Sequence, residues 1–146
     1  LAAAVLSIIR GQLSRGCRAF TSDLRVRILS TGLTTYPDGA VVCGGTQRAP
    51  DDKVAVTNPV VLIEVTSNSS EEYDRGEKLR HYQAIPTAKE IVILSHREPR
   101  ISLHRRDERG WTAVDAAAGE SIALESIGAM VRIDDVYRDG LEDAAR

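Results

Sequence analysis

The run Val60-Val61-Leu62-Ile63-Glu64-Val65 constrains this chain more than any other stretch, because a carboxylate interrupts residues that are otherwise apolar and mostly β-branched. Bounded by Pro59 and by the Ser/Asn cluster Ser67–Ser70, the run reads as a strand covered on both faces. An unpaired carboxylate in such a place costs several kcal/mol or gives up its charge, so Glu64 requires a cation, a metal or hydrogen-bond donors close by. Thr66–Tyr73 reads as a linker into a helix from about Asp74 to Ala84, opened by Asp74 and Glu77 at capping-box spacing. Lys78 falls in the first turn of that helix, Tyr82 lies at i+4 on the same face, and Ile85-Pro86 ends it. A buried acid, a polar turn, then a lysine and a tyrosine stacked on the next helix form a candidate site.

Upstream, Leu6, Ile9 and Leu13, flanked by Val5 and Ile8, have the spacing of an amphipathic core-packing helix over Leu1–Ser14, ended by Gly16. Cys17–Phe20 is a possible short strand. Leu24, Val26 and Ile28 alternate with arginines and predict a half-exposed strand. Tyr36-Pro37-Asp38-Gly39 reads as a β-turn before the strand Ala40–Cys43. A second reading aims Asp38 from the mouth of that strand at the same cleft as Glu64, and a turn can do both. Gly44–Thr57 is polar and reads as a surface loop. Ile91–Leu94 is another buried strand, and Arg100–Arg106 with Trp111–Val114 forms a hairpin around Asp107–Gly110. Ser121–Leu124 and Val131–Ile133 read as short final strands before a polar tail from Gly140.

A chain of 146 residues suits a single domain over 1–146. It opens on Leu1 without an initiator methionine, which reads as a fragment of a longer polypeptide. The net charge of −2 gives no global basic field and lowers the case for non-specific nucleic-acid binding, while leaving a local arginine patch open. Arg97, Arg100, Arg105, Arg106 and Arg109 surround the hairpin; they could meet phosphates, but read first as charges that discourage edge pairing. His81, His96 and His104 lack metal-ligand spacing. Cys17 and Cys43 are too few and too isolated for a disulfide framework or a metal knuckle and fit a reducing compartment. The Leu1–Ile9 apolar run is too short for a bilayer span and lacks the marks of a signal peptide, so a cytoplasmic location is expected.

Helix, three strands, helix, strand is the order αβββαβ. With Asp38 before the second strand and Glu64 in the third, the chain resembles the PD-(D/E)xK nuclease superfamily, and more closely the Uma family of restriction endonucleases. The residues carrying the likeness are Phe20-Thr21-Ser22-Asp23-Leu24-Arg25-Val26-Arg27, Tyr36-Pro37-Asp38, Asn58-Pro59 through Glu64-Val65 with Ser67, and Tyr73–Lys78 on to Tyr82. Glu98-Pro99-Arg100 and the hairpin to Trp111 continue it, so nearly the whole chain is covered.

The resemblance implies an α/β (α+β) fold: a restriction-endonuclease-like core with a central mixed sheet flanked by helices and a C-terminal β-hairpin extension. It implies a metal-dependent endonuclease acting on DNA. Asp38, Glu64 and a main-chain carbonyl near Val65 would hold Mg²⁺ or Mn²⁺, since hard cations take oxygen ligands. Lys78 would orient the nucleophile or stabilise the phosphate, with Tyr82 and Ser67 near the substrate. The superfamily's lysine usually stands two residues after the acid; Thr66 is there instead, and Lys78 fits a lysine moved to the following helix. Uma-like chains usually carry a further N-terminal hairpin segment with an acidic residue. A homodimer is expected because cutting both strands usually needs two sites. The alternative is a non-catalytic nucleic-acid-binding or oligomerisation module on the same fold, and scarce aromatic residues argue against single-strand stacking as its mode.

Overall fold

The computed structural model describes residues 1–141. Its first elements are α1 (Ala2–Arg10), β1 (Cys17–Phe20), β2 (Val26–Arg27), β3 (Thr34–Thr35), β4 (Gly39–Cys43), β5 (Arg48–Ala49), β6 (Asp52–Val56) and β7 (Pro59–Val65). Next come α2 (Glu71–Arg75), α3 (Glu77–Gln83), β8 (Glu90–Leu94), β9 (Arg100–Asp107) and β10 (Gly110–Ala117). The last are β11 (Ser121–Leu124), a 3-10 turn at Glu125–Ile127, β12 (Ala129–Arg132) and α4 (Ile133–Val136). The tail from residue 142 onward lies outside the described residues.

A six-stranded mixed sheet in the order β1-β4-β7-β8-β9-β10 forms the centre. Within this sheet only β7 and β8 run parallel, and the α2–α3 crossover joins them, as a parallel pair requires. The expected αβββαβ order is realised by α1, β1, β4, β7, α2–α3 and β8. Alternation along β7 and β8 divides the core between two faces. Val61, Ile63, Val92 and Leu94 pack toward α1, α4 and the β11–β12 hairpin. Leu62, Ile91 and Ile93 pack with Leu79, Tyr82 and Ile85 of the helical side and with Val26 and Ile28. Glu64, two residues beyond Leu62, therefore points to the helical side.

Several local expectations are corrected. The first strand of the core is Cys17–Phe20; Leu24–Leu29 contributes only Val26–Arg27, to a second sheet in the order β3-β2-β6-β5. The stretch read as a surface loop supplies β5 and β6, anchored by buried Ala49, Ala55 and Val56. Helix α1 stops at Arg10, short of the expected Ser14. Asp74 and Glu77 form no capping box: the helical turn starts earlier, with Ser70 at the N-cap, and breaks at Gly76. A Cβ at Gly76 would lie 3.0 Å from the Glu72 carbonyl oxygen, so the break is a place where only glycine fits easily.

The cysteines are also corrected. Cys17 and Cys43 face each other in register across β1 and β4 and form a disulfide. That pairing depends on strand register and has no local sequence signature. The β9–β10 hairpin forms one edge of the main sheet, with β10 outermost and largely exposed. Strand β9 pairs with β8 along Glu90–Leu94, and Arg106 donates to the carbonyls of Gln83, Ile85 and Pro86 while covering the Trp111 ring. Arg105 donates to the Ala123 carbonyl and lies 3.7 Å from buried Glu90.

Candidate active site

Strand β7 carries Glu64 to its C-terminal end, where α3 crosses the sheet and the turn before β4 brings Asp38 alongside. A Cβ at Gly39 would meet Leu6 Cδ2 of α1 at 2.9 Å, so a side chain at this corner would require Leu6 to shift. The backbone N–H of Val65 donates to Asp38 Oδ2 at 2.8 Å, tying the Pro-Asp turn to the end of β7. Among the expected site residues, Asp38, Glu64, Val65, Lys78 and Tyr82 are thus brought into one cluster.

Glu64 is 4% exposed and has two donors on a single oxygen. Lys78 Nζ lies 2.8 Å from Glu64 Oε1, and the Tyr82 hydroxyl donates to the same atom at 2.5 Å. The i, i+4 spacing on α3 stacks those donors, and the Lys78 ammonium also lies 5.8 Å from the Tyr82 ring centroid. Burial pushes the Glu64 carboxyl up to about 7; Lys78 and then Tyr82 oppose the rise, and neighbouring Asp38 adds to it. Burial, with the Glu64 charge next to it, raises the Tyr82 hydroxyl well above its ordinary range, so Tyr82 serves as a neutral donor.

Asp74 also joins this cluster, a neighbour that capping spacing concealed. It is 4% exposed, accepts a 2.8 Å hydrogen bond from Ser70 Oγ and stands 3.9 Å from Lys78 Nζ. Burial raises its carboxyl pKa, while Ser70 and Lys78 pull the other way. The signal available in sequence was Asp74, Lys78 and Tyr82 at i, i+4 and i+8, a single helical stripe. Ser67 touches none of the cluster's charged groups among the described hydrogen bonds; its hydroxyl pairs with Ser70 Oγ at 2.8 Å and reaches Asp74 only through it. Thr66 is buried, with Oγ1 2.6 Å from His96 Nδ1, and His96 Nε2 lies 2.8 Å from Asn68 Oδ1. The position two residues after Glu64 is therefore closed by a hydroxyl–imidazole contact, and the ammonium reaches Glu64 from α3 instead.

The donor chemistry suits a hard divalent cation. Asp38 Oδ1 and Glu64 Oε2 carry no hydrogen bond among the described residues, and Lys78 is the one ammonium within 4 Å of Glu64 or Asp74. Among the described residues no group of three or more His, Cys, Asp or Glu side chains is arranged to hold a metal ion. A cation here would draw its remaining ligands from main-chain carbonyls, water and substrate, a coordination typical of Mg²⁺.

The family described as "Putative restriction endonuclease", Uma2, matches residues 1–134. An uncharacterized protein of Synechocystis is 33% identical over 123 residues, 84% of this chain and 64% of its own length. A second uncharacterized Synechocystis protein is 28% identical over 107 residues, 73% of this chain and 60% of its own length. The chain therefore spans less than two thirds of the curated relatives it matches. The crystal structure of a putative nuclease from Anabaena variabilis superposes with a TM-score of 0.73 at 16% identity, covering 94% of this chain and 78% of that one. That likeness extends to the fold.

Proposed function

Because this chain belongs to the Uma2 restriction-endonuclease family, we propose that it is a metal-dependent endonuclease hydrolysing DNA phosphodiester bonds. The observation that carries the reading is Glu64, a carboxylate buried in an apolar strand with Lys78 and Tyr82 converging on Oε1 and Asp38 beside it. Asp38, Glu64 and a main-chain carbonyl near Val65 are the groups that would hold Mg²⁺ or Mn²⁺. Bound there, a divalent cation supplies Lewis-acid polarisation of the phosphate and offsets the charge that develops on it.

The protein's own residues do the rest. Lys78 presents an ammonium at the edge of the acid pair, where it orients an attacking water and stabilises charge on the phosphate oxygens. Tyr82 holds the Glu64 carboxylate in one rotamer and keeps its second oxygen toward the cleft. Asp38, fixed by the Val65 N–H in the turn before the neighbouring strand β4, would face substrate beside Glu64. Ser67, in the turn after β7, would meet the nucleic-acid backbone by exchanging its Ser70 contact for a phosphate oxygen. Two copies acting as a homodimer would cut both strands. No helix among the described residues is long and apolar enough to cross a membrane.

One observation favours a second reading, a nucleic-acid-binding module without catalysis: Lys78 and Tyr82 already occupy Glu64 Oε1, as in a purely structural buried ion pair. Plasmid nicking separates the two. Protein in Mg²⁺ and in Mn²⁺ is compared with Glu64→Gln and Lys78→Ala prepared identically. Metal-dependent nicking lost in both variants supports the nuclease. Nicking that survives both marks a contaminant, and duplex binding without nicking in any of them supports the module.

A further inference from the structure

We propose that Asp74 is a positioning residue for Lys78, a second anionic berth that keeps the ammonium in the site when Glu64 engages another cation. An ammonium has three N–H donors, and Lys78 directs Nζ to Glu64 Oε1 at 2.8 Å with Asp74 Oδ1 3.9 Å away. The Lys78 side chain is 13% exposed and that of Asp74 4%. At that burial neither charge is dispensable to the other, unlike an exposed i, i+4 pair on a helix surface. Asp74 is also held from behind: Ser70 Oγ donates to Oδ2, and Ser67 Oγ pairs with Ser70 Oγ, each at 2.8 Å. This leaves Oδ1 as the oxygen facing Nζ. The break at Gly76 separates the helix that carries Asp74 from the one that carries Lys78, so the pair spans two elements.

The physical need for a second berth follows from the stem of the lysine. Four flexible carbons hold the ammonium in place only while an anion is within reach. If Glu64 gives its charge to a divalent cation, the attraction that now holds Nζ weakens, and an ammonium without Asp74 turns toward solvent. Asp74 thus allows one carboxylate to serve a metal while the lysine stays beside it. Its role in catalysis rests on the nuclease reading; its role as a berth does not.

The test uses the metal-free protein labelled with ¹⁵N-lysine, whose only lysines are Lys53, Lys78 and Lys89, with Lys53 and Lys89 exposed. An ammonium shielded and held by acceptors gives a side-chain NζH₃⁺ cross-peak, and exposed ones are lost to exchange. Glu64→Gln removes the charge of the first berth. The Lys78 cross-peak is expected to persist in Glu64→Gln and in Asp74→Asn, and to vanish in the double variant. It is expected to return when Asp74 is changed to Glu in the Glu64→Gln background. Loss in Glu64→Gln alone, or persistence in the double variant, overturns the proposal. A crystal structure of Glu64→Gln gives a second readout that needs no double variant. Nζ is expected to close on Asp74 Oδ1 to about 3 Å, and an Nζ turned to solvent overturns the proposal.

Kinetics add the catalytic part: Asp74→Asn is expected to lower kcat about tenfold with KM for DNA unchanged, and Asp74→Glu to recover it. A change in KM alone overturns the positioning role. A protein that cuts no DNA yet gives the cross-peak pattern supports the berth and counts against the nuclease, so the two failures are distinguishable.

Discussion

The Tyr82 hydroxyl donates to Glu64 Oε1 at 2.5 Å across 18 residues of sequence, joining the middle of α3 to the end of β7. Both partners sit on the helical face of the sheet, where Leu62, Ile91 and Ile93 leave little access to water. Within that apolar face Glu64 keeps a proton to higher pH than in an unfolded chain.

Stability therefore depends on pH in a defined direction. The Glu64 carboxyl titrates near 4.5 in the unfolded chain and is pushed up to about 7 in the fold. Between those values the native protein carries a proton that the unfolded chain has released, so stability falls as pH rises through this window, by at most roughly 3 kcal/mol. Urea denaturation of metal-free protein from pH 4 to 8 measures it, with Glu64→Gln as the reference. The variant should lack this component of the slope and equal or exceed wild-type stability at pH 8. Parallel curves would remove Glu64 as the titrating group. Mg²⁺ or Mn²⁺ at pH 8 should raise the wild-type midpoint, since an ion that binds only the folded state stabilises it.

Tyr82→Phe separates support of the carboxylate from contact with substrate. The ring still fills its place beside Leu79 and Ile85, but Glu64 Oε1 loses its hydroxyl donor. A hydrogen bond to a charged group contributes about 1.5–3 kcal/mol, so the variant should be less stable by that amount at pH 8. Nicking should fall about tenfold through kcat. A rise in KM for DNA with kcat intact would instead put the hydroxyl on the substrate.

The strand, the acid and the helical stripe were legible in sequence because each breaks or keeps a period. Glu64 stands out as a charge inside an apolar run, and Lys78 and Tyr82 share a face at i, i+4. Asp74 was hidden by Asp-x-x-Glu spacing, which suits a cap equally well; only the break at Gly76 and the burial of Asp74 itself distinguish the two. Strands β2 and β5 hold two residues each, too few to show alternation. The Cys17–Cys43 bond needs the β1–β4 register, with Arg18 opposite Val42 and Phe20 opposite Ala40, and register is a tertiary fact.

That bond ties the edge strand β1 to β4, five residues after Asp38. Closing a loop across a sequence separation of 26 restricts the unfolded chain and is worth about 3–4 kcal/mol in the chain-entropy account. Dithiothreitol should lower the denaturation midpoint of the wild type by a corresponding amount. A Cys17→Ser/Cys43→Ser variant should match reduced wild type and ignore the reductant. Equal midpoints with and without reductant in the wild type would mean that the bond does not form in solution.

Lys78→Ala tests the counter-ion role through stability and the catalytic role through nicking. Truncation leaves Glu64 and Asp74 facing each other's burial without the ammonium that both approach. Breaking a buried pair by removing one partner costs about 3–5 kcal/mol, and that cost should appear at pH 8, where Glu64 is ionised. At pH 5 Glu64 is protonated in the fold, so the cost should shrink to that of lost packing and of Asp74 alone. Removing the resident cation also clears Glu64 Oε1 for another. Saturating Mn²⁺ should therefore raise the variant's midpoint more than the wild type's, while nicking is lost. Denaturation with and without Mn²⁺ at both pH values, beside the nicking assay, gives the answer. A variant stabilised no more by Mn²⁺ than the wild type is would place the metal elsewhere than on Glu64.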